Sequence, residues 1–355
     1  MAAPARESSA VAASEPITRG MNPPTGSYNR AAMLAAVAHY NLLERIGEGA
    51  LGEVYRARDT KVGRTVALKL VRDSTFTDVA SRAAFLDDAR AAAMLSHPNI
   101  ATLFDVGEYD EGCYLAYEFA SSVTLRQDIE GGAVNPRRAL ELAVQIADAL
   151  AEAHGHGVLH GDLRPDTIVV TQKGSAKVLE FGLSRWSHGG QIRVRAASSP
   201  ESLGADAVRV VSYMSPEQAL GGAVDPRTDV FSLGVMLHEM LTGRNPFAAA
   251  TVSETLLNVV SAAASSPPAL ASSSPDLDAI RARAMAKEID KRHQSAASLS
   301  AELRSVGAML DVRAGDAARD YVIPLDDDSS AAGWWVVSLV VLALAGIAWW
   351  YWSGT

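Results

Sequence analysis

A single cysteine in 355 residues, Cys113, excludes an internal disulfide framework and a cysteine-rich zinc site. Basic charge is also short. Lys and Arg number 32 against 41 Asp and Glu, and the formal net charge is -9. A general nucleic-acid binder carries a basic footprint, so no nucleic-acid partner is expected. Aromatic residues make up 6% of the chain, and its 6 tryptophans are unevenly spread. Trp186 alone lies in the body, while Trp334, Trp335, Trp349, Trp350 and Trp352 crowd the end. That skew excludes a chain that meets one solvent throughout. No signal-peptide pattern is visible, because the apolar run over 31–38 is short and follows a polar stretch. No internal repeat is visible either.

What is present divides the chain by composition. At 48% hydrophobic and 21% charged, most of it can bury a core, with room for one large domain or two ordinary ones. Residues 1–39 are rich in Ala, Ser and Pro, and Pro23, Pro24 and Gly26 break any helix. They read as a disordered arm, ending in at most a short helix. Residues 40–310 read as one folded domain. Apolar runs around Val54 and over 66–70, 101–104 and 114–119 predict strands. Helical spacing predicts helices over 77–95, 136–153, 229–241 and 279–285. A small β-rich lobe followed by a larger α-rich lobe is an α+β architecture.

Residues 311–332, with Asp326, Asp327 and Asp328 in a row, read as an acidic linker. Residues 333–352 are apolar and uncharged, and match the roughly 20 residues that cross a bilayer as a helix. Tryptophans mark both ends, as aromatic belts do at the two interfaces. A buried core helix is the competing reading, but it rarely carries Trp pairs at both ends. Residues 353–355 form a short tail. Arg319 is the nearest basic residue, so flanking charge gives little orientation.

Gly47, Gly49, Gly52 and Val54 belong to a G-x-G-x-x-G-x-V run. Glycines let backbone N–H groups approach phosphate oxygens without interference from Cβ. Alone the run is weak evidence, since a glycine-rich hairpin is often only a hairpin. A dinucleotide fold would need a helix directly after it, whereas another strand-like run follows. Lys69 closes an apolar Val-Ala-Leu-Lys run. A buried lysine is costly unless it meets an anion, so Lys69 reads as a phosphate contact or as an edge-strand residue facing water.

Further motifs follow in order. They are His97-Pro98-Asn99-Ile100, His160-Gly161-Asp162-Leu163-Arg164-Pro165-Asp166-Thr167, Glu180-Phe181-Gly182, Ser215-Pro216-Glu217 and Asp229-Val230-Phe231-Ser232-Leu233-Gly234. With these the sequence resembles the protein kinase superfamily, and within it the bacterial Ser/Thr kinases of eukaryotic (Hanks) type. The resemblance is collinear over about 40–310. It implies a bilobal kinase fold, to which 333–352 would add one C-terminal transmembrane helix. It also implies ATP held by the glycine loop and Lys69, with Glu118 at the adenine hinge behind a bulky Tyr117. Asp162 would be the catalytic base, Arg164 would stand for the loop lysine, and Glu217 would pair with Arg292.

Several positions depart from the family. Its metal-binding aspartate and asparagine are Glu180 and Thr167 here, which puts Mg2+ or Mn2+ binding in doubt. The acidic partner of Lys69 falls at Asp88, one methylene short, so that pair needs the helix to move inward. Gly161 replaces an arginine that receives an activation-loop phosphate in many kinases. Val210 replaces a threonine whose hydroxyl meets the catalytic aspartate. The activation loop would span 186–211, and its Ser187, Ser198, Ser199 and Ser202 read either as phosphosites or as a solvated Ser-rich stretch. Misplacement by about 1 Å can cost ~100-fold in rate. The resemblance therefore implies an ATP-binding Ser/Thr kinase-like protein with weak or lost phosphotransfer, acting as a signalling or scaffold module. The alternative is an active Ser/Thr protein kinase. A remnant without nucleotide binding is a third reading. Expected partners are nucleotide, a protein substrate or signalling partner, and the bilayer. The domain would face the cytoplasm, where ATP is available, on a single-pass tail anchor in a bacterial inner or plasma membrane.

Overall fold

Six strands carry the N-terminal lobe: β1 (Ala36–Val37), β2 (Tyr40–Gly49), β3 (Gly52–Asp59), β4 (Thr65–Arg72), β5 (Leu103–Tyr109) and β6 (Gly112–Glu118). In this computed structural model the described residues are 36–49, 51–120, 122–187, 190, 192, 203–204, 207–263 and 275–320. The chain divides into two units, Met1–Arg304 and Ser305–Thr355, and the candidate site lies in the first. The strands form one antiparallel sheet in the order β1-β2-β3-β4-β6-β5.

Side chains alternate across a strand, and the β4 sequence uses both faces. Val66, Leu68 and Leu70 join Tyr55, Ala57, Tyr114 and Ala116 in one core. Ala67 and Val71 face the other way, into a core with Leu103, Leu115 and Tyr117. Helix α1 (Val79–Ala93) covers this second face with Phe85, Leu86 and Ala89. Its start is fixed by a capping box, in which Asp78 accepts from the Ser81 N–H and Ser81 Oγ accepts from the Asp78 N–H. Lys69 shares the parity of Ala67 and Val71, and is 5% exposed.

The C-terminal lobe opens with β7 (Ser122–Thr124), α2 (Leu125–Ile129) and α3 (Pro136–Gly155), followed by β8 (Ile168–Thr171) and β9 (Ala176–Val178). Strands β7, β8 and β9 make a small antiparallel sheet. Then come α4 (Val208–Val211), α5 (Pro216–Ala219), α6 (Pro226–Thr242), α7 (Val252–Ser261), α8 (Pro275–Ala284) and α9 (Ala296–Asp320). Helix α6 is buried from Thr228 to Leu241, with α3 and α8 packed against it. Asp225 caps its start, Pro226 takes the first turn, and Gly243 ends it at φ 71°.

The sequence places the lobes and most elements correctly and differs at element boundaries, among them β5, which runs over 103–109 rather than 101–104. The fold begins before Tyr40: Val37 in β1 is 2% exposed, and the end of the expected arm is strand rather than helix. Helix α6 starts at Pro226 rather than 229 because the Asp225 cap and the proline define it. Helix α8 starts at Pro275 rather than 279. Helix α9 continues through 311, where the linker was expected, to Asp320. Among the described residues no helix is long and apolar enough to cross a membrane. The expected span over 333–352 lies outside the described residues, as do 1–35 of the arm and 321–332 of the linker.

Candidate active site

A cavity of about 1200 Å³ lies between the lobes. The β2–β3 hairpin, β4, the end of β6 and the segments around Thr167 and Glu180 line it. In the hairpin, Gly47 pairs with Val54, Glu48 with Glu53, and Gly49 with Gly52. Gly47 has open space where a Cβ would stand, so its backbone is free to approach a ligand. Gly52, at φ 145°, could not carry a side chain, because its Cβ would fall on the Leu70 carbonyl. Val54 lies opposite Lys69 in the β3–β4 register, which brings the glycine hairpin and the lysine to one wall.

Lys69 Nζ donates a hydrogen bond to Glu180 Oε1, and the two form a buried ion pair. Burial, and after it the Arg164 charge, push the Lys69 ammonium below its ordinary range. Thr167 is 2% exposed. Its hydroxyl accepts from the Arg164 N–H at 3.2 Å and lies 2.9 Å from the Arg164 carbonyl, to which it donates. Thr167 thus closes its own turn, and its one hydroxyl proton is used there. Asp162 is buried, with Oδ1 3.3 Å from Arg164 Nε and Oδ2 3.0 Å from Ser187 Oγ. Glu118 ends β6, where its carboxylate accepts from the Thr102 N–H and from Lys177 Nζ.

Asp88 does not pair with Lys69. Its Oδ2 accepts from Arg185 Nε and from Trp186 Nε1, both at 2.7 Å. The physical reason is the position of Trp186. Its indole packs edge-on against Phe85, at 5.9 Å between ring centroids, and against Phe76 at 6.0 Å. The ring lies along α1, so Asp88 is held by the segment after Gly182 while Lys69 meets Glu180.

The catalytic-loop motif is hung from α6. Asp229 accepts from the N–H groups of His160 and Gly161, each at 2.8 Å, and pairs with His154 Nε2 at 2.9 Å. Burial alone would raise its pKa; the His154 hydrogen bond, the nearby histidine charges and the Gly161 N–H outweigh it and hold the carboxyl below its ordinary value. Gly161 sits at φ 69°, where a Cβ would meet Ser184 Oγ at 2.8 Å, so the segment after Gly182 packs where an arginine side chain would start. Farther down, Arg292 grips Glu217 with two 2.8 Å hydrogen bonds, and Thr228 Oγ1 adds a third.

The residues fit a nucleotide better than they fit a full metal shell. The cavity holds a glycine-bearing hairpin and a buried lysine, which suit phosphates. Mg2+ bound with nucleotide phosphates needs one or two carboxylates. Glu180 offers one, with its Oε1 paired to Lys69, and Thr167 offers a single hydroxyl oxygen that already accepts one backbone N–H. No cluster of three or more His, Cys, Asp or Glu able to hold a metal occurs among the described residues. Three residues make contacts in the site that the sequence did not assign to them: Lys177 was not singled out, Asp166 stood only as a member of its motif, and Ser187 only as a serine of the activation loop. Lys177, on β9, meets Glu118, and strand parity alone does not reveal a partner in another sheet. Asp166, at the cavity mouth, is bracketed by Arg164 at 3.1 Å and Arg209 at 3.2 Å. Ser187 reaches Asp162 from the activation segment and is 1% exposed, unlike a solvated phosphosite. Ser198, Ser199 and Ser202 lie outside the described residues.

A two-lobed fold with a glycine hairpin, a buried lysine and an anchored His-Gly-Asp loop defines a class. The protein kinase domain family matches residues 40–302, and the chain belongs to that family. Among individual relatives it is 34% identical over 270 residues to the serine/threonine-protein kinase PknB of Mycolicibacterium smegmatis. The PknB of Mycobacterium tuberculosis is likewise 34% identical over 270 residues. Each match covers 74% of this chain and 42% of the relative, so the chain spans about two-fifths of the length of these proteins. The crystal structure of a double mutant of the Mycobacterium tuberculosis PknI kinase domain shares the fold, with a TM-score of 0.59 and 24% identity, covering 77% of this chain and 97% of that one. The family uses ATP and Mg2+ and phosphorylates protein.

Proposed function

We propose that this chain binds ATP between the glycine hairpin and Lys69 and transfers phosphate to protein Ser or Thr only weakly. It serves as a signalling or scaffold module held at the membrane by residues 333–352. The carrying observation is that both altered metal positions are already engaged, Glu180 by Lys69 and Thr167 by the backbone of Arg164. A divalent ion bound with the phosphates would supply charge neutralisation, and Glu180 is the residue to hold it. Asp162 is the base for the acceptor hydroxyl, with Arg164 beside it. The Ser/Thr assignment is supported by the PknB relatives. One observation favours the full-rate alternative: Asp162 keeps a hydrogen-bond donor on each oxygen.

The test uses the full chain in detergent. ATP with Mg2+ or Mn2+ should raise the melting temperature, since binding to the native state stabilises it. Slow phosphate incorporation should vanish in Lys69→Ala and Asp162→Ala. No melting shift would sink nucleotide binding, and signal surviving both substitutions would sink the assigned chemistry. For the anchor, protease should reach residues 40–310 only after cell lysis; cleavage in intact cells would refute the cytoplasmic orientation.

A further inference from the structure

We propose that Ser187 is a positioning residue for Asp162, holding the carboxylate in one orientation for proton removal from the acceptor hydroxyl. This rests on the reading of Asp162 as the base. Ser187 is 1% exposed, and a buried hydroxyl must be hydrogen-bonded. Its Oγ lies 3.0 Å from Asp162 Oδ2 and 2.9 Å from the Ser184 carbonyl, and it accepts from the Gly190 N–H at 2.9 Å. A hydroxyl has one proton to give. A carboxylate is the stronger acceptor, so the proton goes to Asp162. The Gly190 N–H fills a lone pair of the same oxygen and so restrains the side chain.

The other oxygen, Oδ1, faces Arg164 Nε at 3.3 Å. The carboxylate is therefore held from two sides by different parts of the chain: its own loop, and the segment after Gly182. That segment is itself fastened, because Arg185 and Trp186 bind Asp88 on α1. Val210, which also lines the cavity, has only methyl groups and supplies no donor. Ser187 provides from the start of the activation segment a hydroxyl that position 210 cannot.

The test is steady-state kinetics on the full chain carrying Ser187→Ala, Ser187→Cys or Ser187→Thr, with ATP-dependent melting measured alongside. Ser187→Ala should lower kcat about 10- to 100-fold, as expected when a base loses its alignment. The KM for ATP should stay within about twofold, since nucleotide contacts are untouched. Ser187→Cys keeps the shape with a weak donor and should lose kcat likewise, which decides the matter if the alanine variant fails to fold. Ser187→Thr should keep most of the rate. Unchanged kcat in the cysteine or alanine variant overturns the proposal, as does a rise in KM at constant kcat. If the wild type shows an ATP melting shift but no turnover, the phosphotransfer reading fails and this role fails with it. If the wild type turns over and the variants match it, only this role fails.

Discussion

The indole Nε1 of Trp186 donates a 2.7 Å hydrogen bond to the carboxylate of Asp88. That one contact fastens α1 to the segment beyond Glu180-Phe181-Gly182. It also accounts for Lys69 meeting Glu180, because the acidic residue expected to pair with it, Asp88, is held by Trp186 and Arg185.

Removing the carboxylate should therefore cost stability through the indole more than through the arginine. The Arg185 side chain is 60% exposed, and such ion pairs contribute little. Trp186 is packed against two rings, so leaving its N–H without a partner costs about 1–3 kcal/mol. Asp88→Ala should lose about that much in urea unfolding, and Asp88→Asn, whose amide oxygen can still accept, clearly less. Equal losses would show that the charge, rather than the indole hydrogen bond, matters.

Glu217 and Arg292 make a second expectation. Arg292 is 1% exposed and depends on Glu217 for two hydrogen bonds. Deleting one member of a buried pair leaves an uncompensated charge and costs about 3–5 kcal/mol. Glu217→Ala should fall in that range by urea unfolding. Glu217→Leu combined with Arg292→Met should lose less than the sum of the single changes. Additive losses would mean the two residues act independently.

Stability should also fall as pH drops from about 6.5 toward 4, in part because of His238. Burial, and then the adjoining Arg281 guanidinium, push its pKa from 6.5 down to about 4. Within that window the unfolded chain binds a proton that the folded chain refuses, so acid favours unfolding. The slope from one such group is at most about 1.4 kcal/mol per pH unit. His293, lowered by burial, acts in the same direction. His238→Gln should flatten the dependence of unfolding free energy on pH in this range. An unchanged slope would contradict a buried, neutral His238.

Much of this architecture is legible in the residues themselves. The alternation in Thr-Val-Ala-Leu-Lys-Leu-Val-Arg marks a strand buried on both faces, with Lys69 as the odd member. The pairing of Glu217 with Arg292 is implied by the resemblance to the kinase family, and both hydrogen bonds are present. What could not be read are contacts set by where α1 sits. Whether Asp88 reaches Lys69 or Trp186 depends on a displacement that changes no local pattern. Ser187 looks like any serine in a Gly- and Ser-rich loop, and only burial against Asp162 distinguishes it. Helix ends were missed where a cap, such as Asp225, lies ahead of the apolar spacing.

The central claim is that phosphotransfer is weak because Glu180 and Thr167 hold the metal positions poorly. It is tested most directly by comparing Mg2+-dependent kcat of the unaltered chain with that of the Thr167→Asn, Glu180→Asp double variant. The wild type should turn over below the ~1–100 s⁻¹ of ordinary kinases, and the double variant should be faster by about tenfold or more. A wild type already in that range, or a double variant no faster than a slow wild type, would contradict it.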